Sequence, residues 1–423
     1  MEHSLTTAEE LCEQCRRLNL RHYLTPQTIR LHWRLPDAIA FDNYSSQTSC
    51  ALCRIIAQAI RSTPDDLIKE VRFETFGTTQ TLEGHSTQAF CMRVSAKNSL
   101  RVTALGLDSY RLGARRHTYG RTVQQDRTNC DLVKTWLRYC ENIHPECSVS
   151  YYTSVNSTSV LQYVVDVEEM RIKEVNGQKL RYLALSYVWG QVPSLQLLKC
   201  NVKELTMPES LQTRLHELSN VVRDAISFTQ CIQERYLWVD SLCICQDDIP
   251  AKRTQIADMP VVYADAIMTL VATEGDASYG LPGVQPYPKP RHQLVERVHG
   301  IRLVTLMPDL PEIVMNSAWT RRAWTYQEEM FSRRLLFFTD HQVYLRCQIS
   351  TCCEDRYEDF EDHSIVLGES LWVHPRSELG KLSLNQSYET WKRLVENFST
   401  RAFTFDTDRY NAFVGIENEL TRH

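Results

Sequence analysis

The chain has little glycine and lacks the glycine-rich loops that hold nucleotide phosphates. Its 423 residues include 14 glycines, and neither a GxGxxG nor a GxxxxGK[ST] string occurs. The usual fingerprints of the Rossmann and P-loop folds are therefore missing. Basic residues are not in excess either. The net charge of −5 argues against nucleic acid as a partner, because nucleic-acid-binding proteins usually carry a basic surface.

Apolar runs long enough to cross a membrane are missing as well. The longest apolar stretches have the length of β-strands, so we expect no membrane span. The first residues, MEHSLTTAEELCEQC, are acidic and lack the apolar segment of a secretory signal. The 15 cysteines are an odd number scattered over a long chain, which suits free thiols in a reducing compartment better than a disulfide framework. We therefore expect a soluble, cytoplasmic protein.

What the sequence does contain is a regular alternation of strand-like and helix-like segments after residue 180. Apolar runs predict strands at 181–187, 236–245, 266–272, 335–338 and 343–347. Helical spacing of apolar residues predicts helices at 211–231, 251–264 and 317–331. This alternation favours an α/β fold, with an open parallel sheet flanked by helices.

The segments on either side of this core are less regular. Residues 1–165 mix helix-like and strand-like segments with several cysteines, and the polar stretch 151–159 is typical of a linker. Residues 387–423 look helical and stop without an evident cap. We therefore expect a mixed N-terminal region (1–165), an α/β core domain (180–340) and a helical C-terminal extension (341–423). The chain could be a truncated piece of something longer.

Two predicted strands end in polar tips. The nearly apolar run YLWVDSLCIC (236–245) is followed by Gln246-Asp247-Asp248, as expected of a buried strand that opens into an acidic loop. Asp240 interrupts the run, and a buried carboxylate must be paired, hydrogen-bonded or functionally tuned. The strand before it ends in SYVWG (186–190), which supplies hydroxyls and an indole. Ligands of open α/β sheets bind beyond the carboxyl ends of strands, so both tips point to a site.

Together with RAWTYQEEMFSRRLLFF (322–338), these strings resemble the three signature blocks of the fungal heterokaryon-incompatibility (HET) family. The blocks occur here in the family's order, over roughly residues 180–340. The chain departs from the family pattern at Cys245 and at Pro260, which should kink the helix after the QDD string. The resemblance implies a role in self/non-self recognition and programmed cell death, through self-association or an incompatibility partner protein. It also implies distant kinship with TIR domains, and hence a TIR/flavodoxin-like parallel sheet.

The TIR kinship implies a specific chemistry. Some TIR domains hydrolyse NAD with a glutamate in a WxxxE string, and WTYQE, from Trp324 to Glu328, is such a string. The resemblance thus implies an NAD nucleosidase with Glu328 as its catalytic carboxylate, Trp324 as a stacking partner and NAD as substrate. A carboxylate beside the ribose stabilises the oxocarbenium-like centre of this reaction. The alternatives are that Glu328 pairs with Arg321 or Arg322, that Trp324 is core, and that the domain is a non-catalytic death-signalling adaptor.

Further candidates for contacting NAD lie at the strand tips: Ser186, Tyr187, Trp189, Asp240 and Asp247. The first three could contact a ribose or a base, or could be loop packing. Asp240 could instead be a structural acceptor for neighbouring backbone N–H groups or Ser241. Asp247 or Asp248 could simply cap the following helix.

Two CxxC pairs in the N-terminal region have the spacing of a tetrahedral zinc site. They are Cys12/Cys15 and Cys50/Cys53, and the 34 residues between the pairs are more than usual. We expect a structural zinc here, with the alternative that Cys50 and Cys53 are core residues of a helix. The spacing Cys140-x3-His144-x2-Cys147 supplies a third group, and we interpret the clustered thiols at 347–354 as structural.

Overall fold

A computed structural model describes about three fifths of the chain. The described residues are 10–17, 49–54, 71–76, 91–96, 99–107, 121–147, 160–285, 291–299, 301–305, 307–355, 384–403, 413 and 417. The predicted linker at 151–159 lies outside them. The chain divides into two compact units. One comprises Met1–Gln125, Arg291–Pro308 and Glu354–Ile365, and the other Asp126–Pro290, Asp309–Cys353 and Val366–His423. The domain boundaries expected from the sequence stay a prediction.

The first unit contains an antiparallel sheet of five strands. In chain order these are β1 Val71–Phe76, β2 Cys91–Ala96, β3 Ser99–Leu107, β9 Val295–Val298 and β10 Ile301–Thr305. Their order in the sheet is β1-β2-β3-β10-β9, and each neighbouring pair is antiparallel. A short helix, Glu13–Arg17, contains Cys15, and a helical turn at residues 51–54 contains Cys53, while Cys12 and Cys50 directly precede these two elements.

The second unit is built on a mixed sheet of eight strands. These are β4 Tyr163–Asp166, β5 Arg171–Glu174, β6 Tyr182–Ser186, β7 Tyr236–Trp238, β8 Met268–Ala272, β11 Arg334–Phe338, β12 Val343–Cys347 and β13 Thr351–Cys353. Their order is β13-β12-β11-β8-β6-β7-β4-β5. The four central strands, β11, β8, β6 and β7, are parallel, and the outer ones are antiparallel. The α/β architecture expected from the sequence is therefore confirmed, with antiparallel edges added.

Helices connect the parallel strands and cover the sheet. The longer ones are Cys130–Ile143, Asn220–Cys231, Ile249–Asp265, Trp324–Phe331 and Leu384–Ser399. Shorter ones are Val202–Leu205, Ser210–Thr213, Asp240–Cys243, Leu310–Val314 and Ala318–Arg321. The helix Trp324–Phe331 packs against Ile249–Asp265. Both helices belong to crossovers between parallel strands, so they fix the position of side chains near the strand ends.

The core of this unit lies along the central strands. All five residues of β6 are buried, because β7 and β8 flank this strand. Leu183 of β6 lies between Leu237 of β7 and Met268 of β8, and none of the three is exposed. Burying an aliphatic side chain of this size stabilises the fold by about 2 kcal/mol. The continuous apolar runs therefore reflect strands covered on both faces.

The prediction of a ten-residue strand at 236–245 is wrong. The strand β7 ends at Trp238, and Asp240–Cys243 forms a helical turn, in which the N–H groups of Leu242 and Cys243 donate to the carbonyl of Val239. The apolar run does indicate buried residues, because the structure buries every residue of 237–245 except Asp240. Burial alone does not distinguish an extended strand from a buried turn.

The helix predicted at 317–331 is also interrupted. It consists of Ala318–Arg321 and Trp324–Phe331, with Arg322 in extended backbone between them. By contrast, the helix Ile249–Asp265 continues across Pro260, so this proline does not end it. No helix in the described part of the chain combines the length and apolarity that a membrane crossing demands.

One pair of cysteines departs from the expectation that the thiols are free. Cys130, at the start of the helix Cys130–Ile143, is disulfide-bonded to Cys231, at the end of Asn220–Cys231. The two residues are 101 positions apart in the chain. The spacing of cysteines along the sequence gives no sign of this pairing, because it depends on how two helices meet in the fold.

Candidate functional site

The carboxyl end of β6 carries the SYVWG string, as the sequence predicts. Ser186 is the last residue of the strand and is buried, as is Tyr187, which follows it. Gly190 has a φ of +68°, a conformation that favours glycine, and its backbone lies against the side chain of Asp276. The strand therefore ends in a tight turn that holds Tyr187 and Trp189 near the sheet.

Glu328 lies beside this strand end. The Ser186 hydroxyl donates a hydrogen bond to Oε2 of Glu328, and the indole Nε1 of Trp319 donates to Ser186 Oγ at 2.6 Å. Glu328 is 5% exposed, and Trp319 is fully buried. The helix Trp324–Phe331 follows β8 and precedes β11, and in this position it can carry a glutamate to the end of a neighbouring strand.

The alternative that Glu328 pairs with a neighbouring arginine is not what the structure shows. Arg321 donates to the carbonyl of Asn316 at 3.1 Å, and Arg322 donates to the carbonyl of Tyr187 at 2.7 Å. Arg322 nevertheless acts on Glu328 at longer range through its charge. The guanidinium also anchors the turn that follows β6.

Burial dominates the electrostatics of Glu328. It raises the pKa of this carboxyl from its ordinary value of 4.5 to about 7. The charge of Arg322 and the hydrogen bond from Ser186 oppose the rise in pKa, and the negative charge of Asp240 adds to it. A carboxyl with this pKa is partly ionised at neutral pH, so it can act as an anion without a fixed counter-ion.

Asp240 stands at the carboxyl end of β7 and contacts the same turn. Its Oδ2 accepts from the indole Nε1 of Trp189 at 2.7 Å, and its Oδ1 accepts from the backbone N–H of Ser241 at 2.7 Å. Tyr187 donates from its hydroxyl to Ser241 Oγ at 3.1 Å. The structural-acceptor interpretation of Asp240 thus holds, while desolvation also raises the pKa of its carboxyl.

The other two predicted residues lie outside this hydrogen-bonded group. Asp247 is exposed, and its Oδ1 accepts from the backbone N–H of Lys199 at 2.8 Å, which holds the pKa of its carboxyl below the usual value. Its neighbour Asp248 caps the helix Ile249–Asp265 by accepting from the N–H of Ala251, as the capping alternative predicts. Trp324 is half-buried at the first position of its helix.

Two residues of the site, Trp319 and Tyr263, could not be identified from the sequence. Trp319 donates to Ser186, whereas the sequence singled out Trp324 as the tryptophan of the site. Tyr263, from the helix Ile249–Asp265, is buried, donates to the carbonyl of Leu185 at 3.2 Å and has a small lowering effect on the pKa of Glu328. Both are aromatic residues in apolar surroundings, where their sequence pattern indicates core packing only.

A surface cavity of about 400 Å³ lies elsewhere in this unit. Its lining includes Gln162, Gly177, Thr254 and Gln255, and none of the predicted site residues. The candidate site itself is a buried polar cluster, in which Ser186, Tyr187 and Glu328 are each 5% exposed or less.

The four N-terminal cysteines come together as the zinc prediction requires. The sulfur atoms of Cys12, Cys15, Cys50 and Cys53 all lie within 4.8 Å of one another. Cys15 and Cys50 are buried, whereas Cys12 and Cys53 are partly exposed. Four convergent thiols at this spacing can bind a metal such as zinc.

A second convergent group lies in the other unit. It consists of Cys140, His144 and Cys147, whose spacing the sequence showed, and of Cys347, which the sequence did not connect with them. Their ligand atoms also lie within 4.8 Å of one another, and all four residues are buried. This group too can bind a metal such as zinc.

Comparison with known proteins identifies the segment that contains the candidate site. Residues 182–328 match the family model described as "Heterokaryon incompatibility protein (HET)". This stretch begins at β6 and ends at Glu328. No curated protein and no solved structure matches the chain.

Proposed function

We propose, from the premise that residues 182–328 belong to the heterokaryon incompatibility (HET) family, that this domain hydrolyses NAD in fungal self/non-self recognition. In this proposal the loss of NAD triggers programmed cell death. The observation that carries it is the buried contact between Ser186 and Glu328 at the carboxyl end of a central parallel strand.

The order of the parallel strands supports a TIR/flavodoxin-like interpretation of the core. Numbered by their appearance in the chain, β6, β7, β8 and β11 lie in the order 2-1-3-4. Flavodoxin-like sheets share this order and bind their ligand where it reverses, beyond the carboxyl ends of the first and third strands. The corresponding strands here are β6 and β8, and the position of Ser186 at the end of β6 supports a ligand site there.

The chemistry fits a carboxylate with the properties of Glu328. Cleavage of the nicotinamide–ribose bond creates positive charge at the ribose carbon, which an adjacent anion in a desolvated site stabilises. The raised pKa of about 7 keeps a useful fraction of Glu328 ionised at neutral pH. Ser186 would orient the carboxylate, and Tyr187 and Trp189 would contact the ribose or the base. The ionised form is the active one, so NAD turnover should rise with pH through about 7.

Access to Glu328 requires a conformational change, because this residue is 5% exposed. The turn from Tyr187 to Gly190 follows the strand end, and Arg322 and Asp240 hold it in place through hydrogen bonds. Self-association, or binding of an incompatibility partner protein, would open this turn. Activity is therefore expected mainly in the assembled state.

Nicotinamide release from NAD by the purified full chain tests the proposal. The assay compares the protein alone with the protein fused to an oligomerising module, for wild type, Glu328→Gln and a control. Glu204→Gln is a suitable control because the Glu204 side chain is 62% exposed. Wild type and control should release nicotinamide when assembled, and Glu328→Gln should not. Equal release by Glu328→Gln would remove the catalytic role.

The burial of Glu328 also favours a second function, that of a non-catalytic death-signalling adaptor. In that case the contact between Ser186 and Glu328 only stabilises the strand end, and self-association alone transmits the signal. Expression of Glu328→Gln in a fungal host separates the two functions. Cell death equal to that of wild type would favour the adaptor, whereas loss of cell death at equal protein level supports the enzyme.

We also propose that Cys12, Cys15, Cys50 and Cys53 hold a structural zinc ion. Four thiolates complete a tetrahedral site and leave no position open for substrate, so the metal would stabilise the fold only. Metal analysis after purification without chelators should show that Cys15→Ser lowers the zinc content by about one ion per chain. An unchanged zinc content in this variant would contradict the proposal.

A further inference from the structure

We infer that Cys140, His144, Cys147 and Cys347 form a second structural zinc site, in the unit that contains the HET segment. Three of these residues belong to one local segment, since Cys140 lies in the helix Cys130–Ile143 and His144 and Cys147 follow its end. Cys347 is the last residue of β12, 200 positions after Cys147. A zinc ion at this place would join the helix end to the sheet.

The geometry meets the requirements of a closed tetrahedral site. The Sγ atom of Cys347 lies 3.4 Å from Nδ1 of His144, and the four ligand atoms are all within 4.8 Å of one another. Ligands of a tetrahedral zinc with bonds of about 2.0–2.3 Å lie within about 4 Å of one another, so only small shifts are needed. Three cysteines and one histidine are an established ligand set for structural zinc.

The backbone around the ligands is arranged as in a metal-binding turn. After Cys347 the chain folds back, and the N–H groups of Ile349 and Ser350 point at its sulfur, at 3.4 and 3.2 Å. Hydrogen bonds from backbone N–H groups stabilise the negative charge of a coordinated thiolate. On the other side, the N–H of His144 donates to the carbonyl of Cys140 at 3.1 Å, and Cys147 N–H donates to the carbonyl of His144 at 3.0 Å. These two bonds fix the three local ligands relative to one another.

A buried arginine supplies the second, independent observation. Arg334 is 1% exposed, and its Nε donates to Cys140 Sγ at 3.0 Å, while Nη1 donates to the carbonyl of Ile267 at 3.0 Å. Among the described residues it forms no ion pair with a carboxylate. A buried guanidinium without an anion is costly. Three thiolates and one zinc ion carry a net charge of about −1, which is the counter-charge that Arg334 lacks.

Apolar packing of the cysteines explains this group less well than zinc binding does. Buried cysteines commonly act as small apolar residues, and Cys140, Cys147 and Cys347 do pack together. A purely apolar cluster would leave the buried charge of Arg334 facing a sulfur atom without a balancing charge. The arrangement of donors therefore fits a zinc–thiolate centre better than a thiol core.

Zinc analysis of the full chain, purified under reducing conditions without chelators, tests the inference. Cys347→Ala and His144→Ala should each lose about one zinc ion per chain relative to wild type. Cys200→Ser is the matched control, because Cys200 is an exposed free cysteine, and it should keep the wild-type content. His144→Cys should keep its zinc too, since four thiolates bind zinc as well as three and an imidazole do. Alanine variants that fold and retain the wild-type zinc content would overturn the proposal.

Cobalt substitution decides the question if the alanine variants fail to fold. Tetrahedral cobalt–thiolate sites absorb through charge transfer from sulfur, and the intensity grows with the number of thiolates. Replacing His144 by Cys should therefore raise the charge-transfer absorbance of the cobalt-loaded protein at unchanged metal content. Identical spectra for wild type and His144→Cys would mean that this histidine is not a ligand, which would also overturn the proposal.

Discussion

Substitution of Glu328 by Gln should make the protein more stable at high pH. Glu328 is buried, and burial raises the pKa of its carboxyl to about 7. A buried acid whose folded-state pKa exceeds its unfolded value binds its proton more tightly in the native state. Stability is therefore lost as the pH rises from about 4.5, the ordinary pKa, to about 7. Gln has the same shape and never ionises, so the variant avoids this loss.

The size of the effect follows from the two pKa values. The difference between 7 and the ordinary 4.5 corresponds to about 3 kcal/mol in the free energy of unfolding above the folded-state pKa. At about pH 5 the same titration costs under about 1 kcal/mol, because this pH is only slightly above the ordinary pKa at which the unfolded carboxyl ionises. As the pH rises from about 5 to about 8, the free energy of unfolding of Glu328→Gln should therefore increase relative to that of wild type by roughly 2–3 kcal/mol.

Urea denaturation of both proteins at the two pH values measures this change. Comparing variant with wild type at each pH cancels the titration of all other groups. The Glu204→Gln control removes an exposed carboxyl, and its stability relative to wild type should change far less between the two pH values. A constant difference between Glu328→Gln and wild type would show that Glu328 titrates normally. The proposed electrostatics of the site would then be wrong.

Three further substitutions test the structure around the site. Glu329→Gln removes a buried partner of Arg346, 2.7 Å away, and should lower the free energy of unfolding by about 3–5 kcal/mol in urea denaturation; a near-wild-type value would contradict the ion pair. Gly190→Ala should lower stability by about 1–2 kcal/mol, because φ is positive and the added Cβ would meet the carboxylate of Asp276; an unchanged thermal midpoint would argue against this turn. Cys130→Ser should cost about 2–4 kcal/mol under non-reducing conditions, since the disulfide closes a loop of 101 residues; equal stability of variant and wild type would argue against the bond.

Much of the fold of the second unit could be predicted from the pattern of apolar residues. The strand at 343–347 has the predicted bounds, and the predicted strand at 335–338 differs from Arg334–Phe338 by one residue. These strands are buried along their whole length, so every residue contributes to the apolar signal. The prediction of a strand at 236–245 was wrong because a buried helical turn gives the same apolar pattern as a buried strand.

The candidate site, too, could be predicted from the sequence only in part. The strings SYVWG and WTYQE pointed to Ser186 and Glu328, and the structure brings the two side chains into contact. Trp319 could not be identified in this way, since it contacts Ser186 from 133 positions further along the chain. A pattern in one segment carries information about burial and local spacing, but not about which distant side chain completes a cluster.

The cysteines illustrate the same limit. The two CxxC pairs are local patterns, and their four thiols converge. Cys347 lies 200 positions after Cys147, and only the antiparallel pairing of β11 with β12 brings the end of β12 back toward the helix that carries Cys140. The sequence therefore showed three members of the second group and missed the fourth.

The most direct test of the central claim is the rate of nicotinamide release from NAD by assembled wild type and Glu328→Gln at neutral pH. Urea denaturation at the same pH must show both proteins folded, so that a loss of activity cannot be ascribed to unfolding. We predict that kcat/KM falls by at least about a hundredfold, as when a group that stabilises transition-state charge is removed. Release at the wild-type rate by the variant, or no release above background by assembled wild type, would contradict the account.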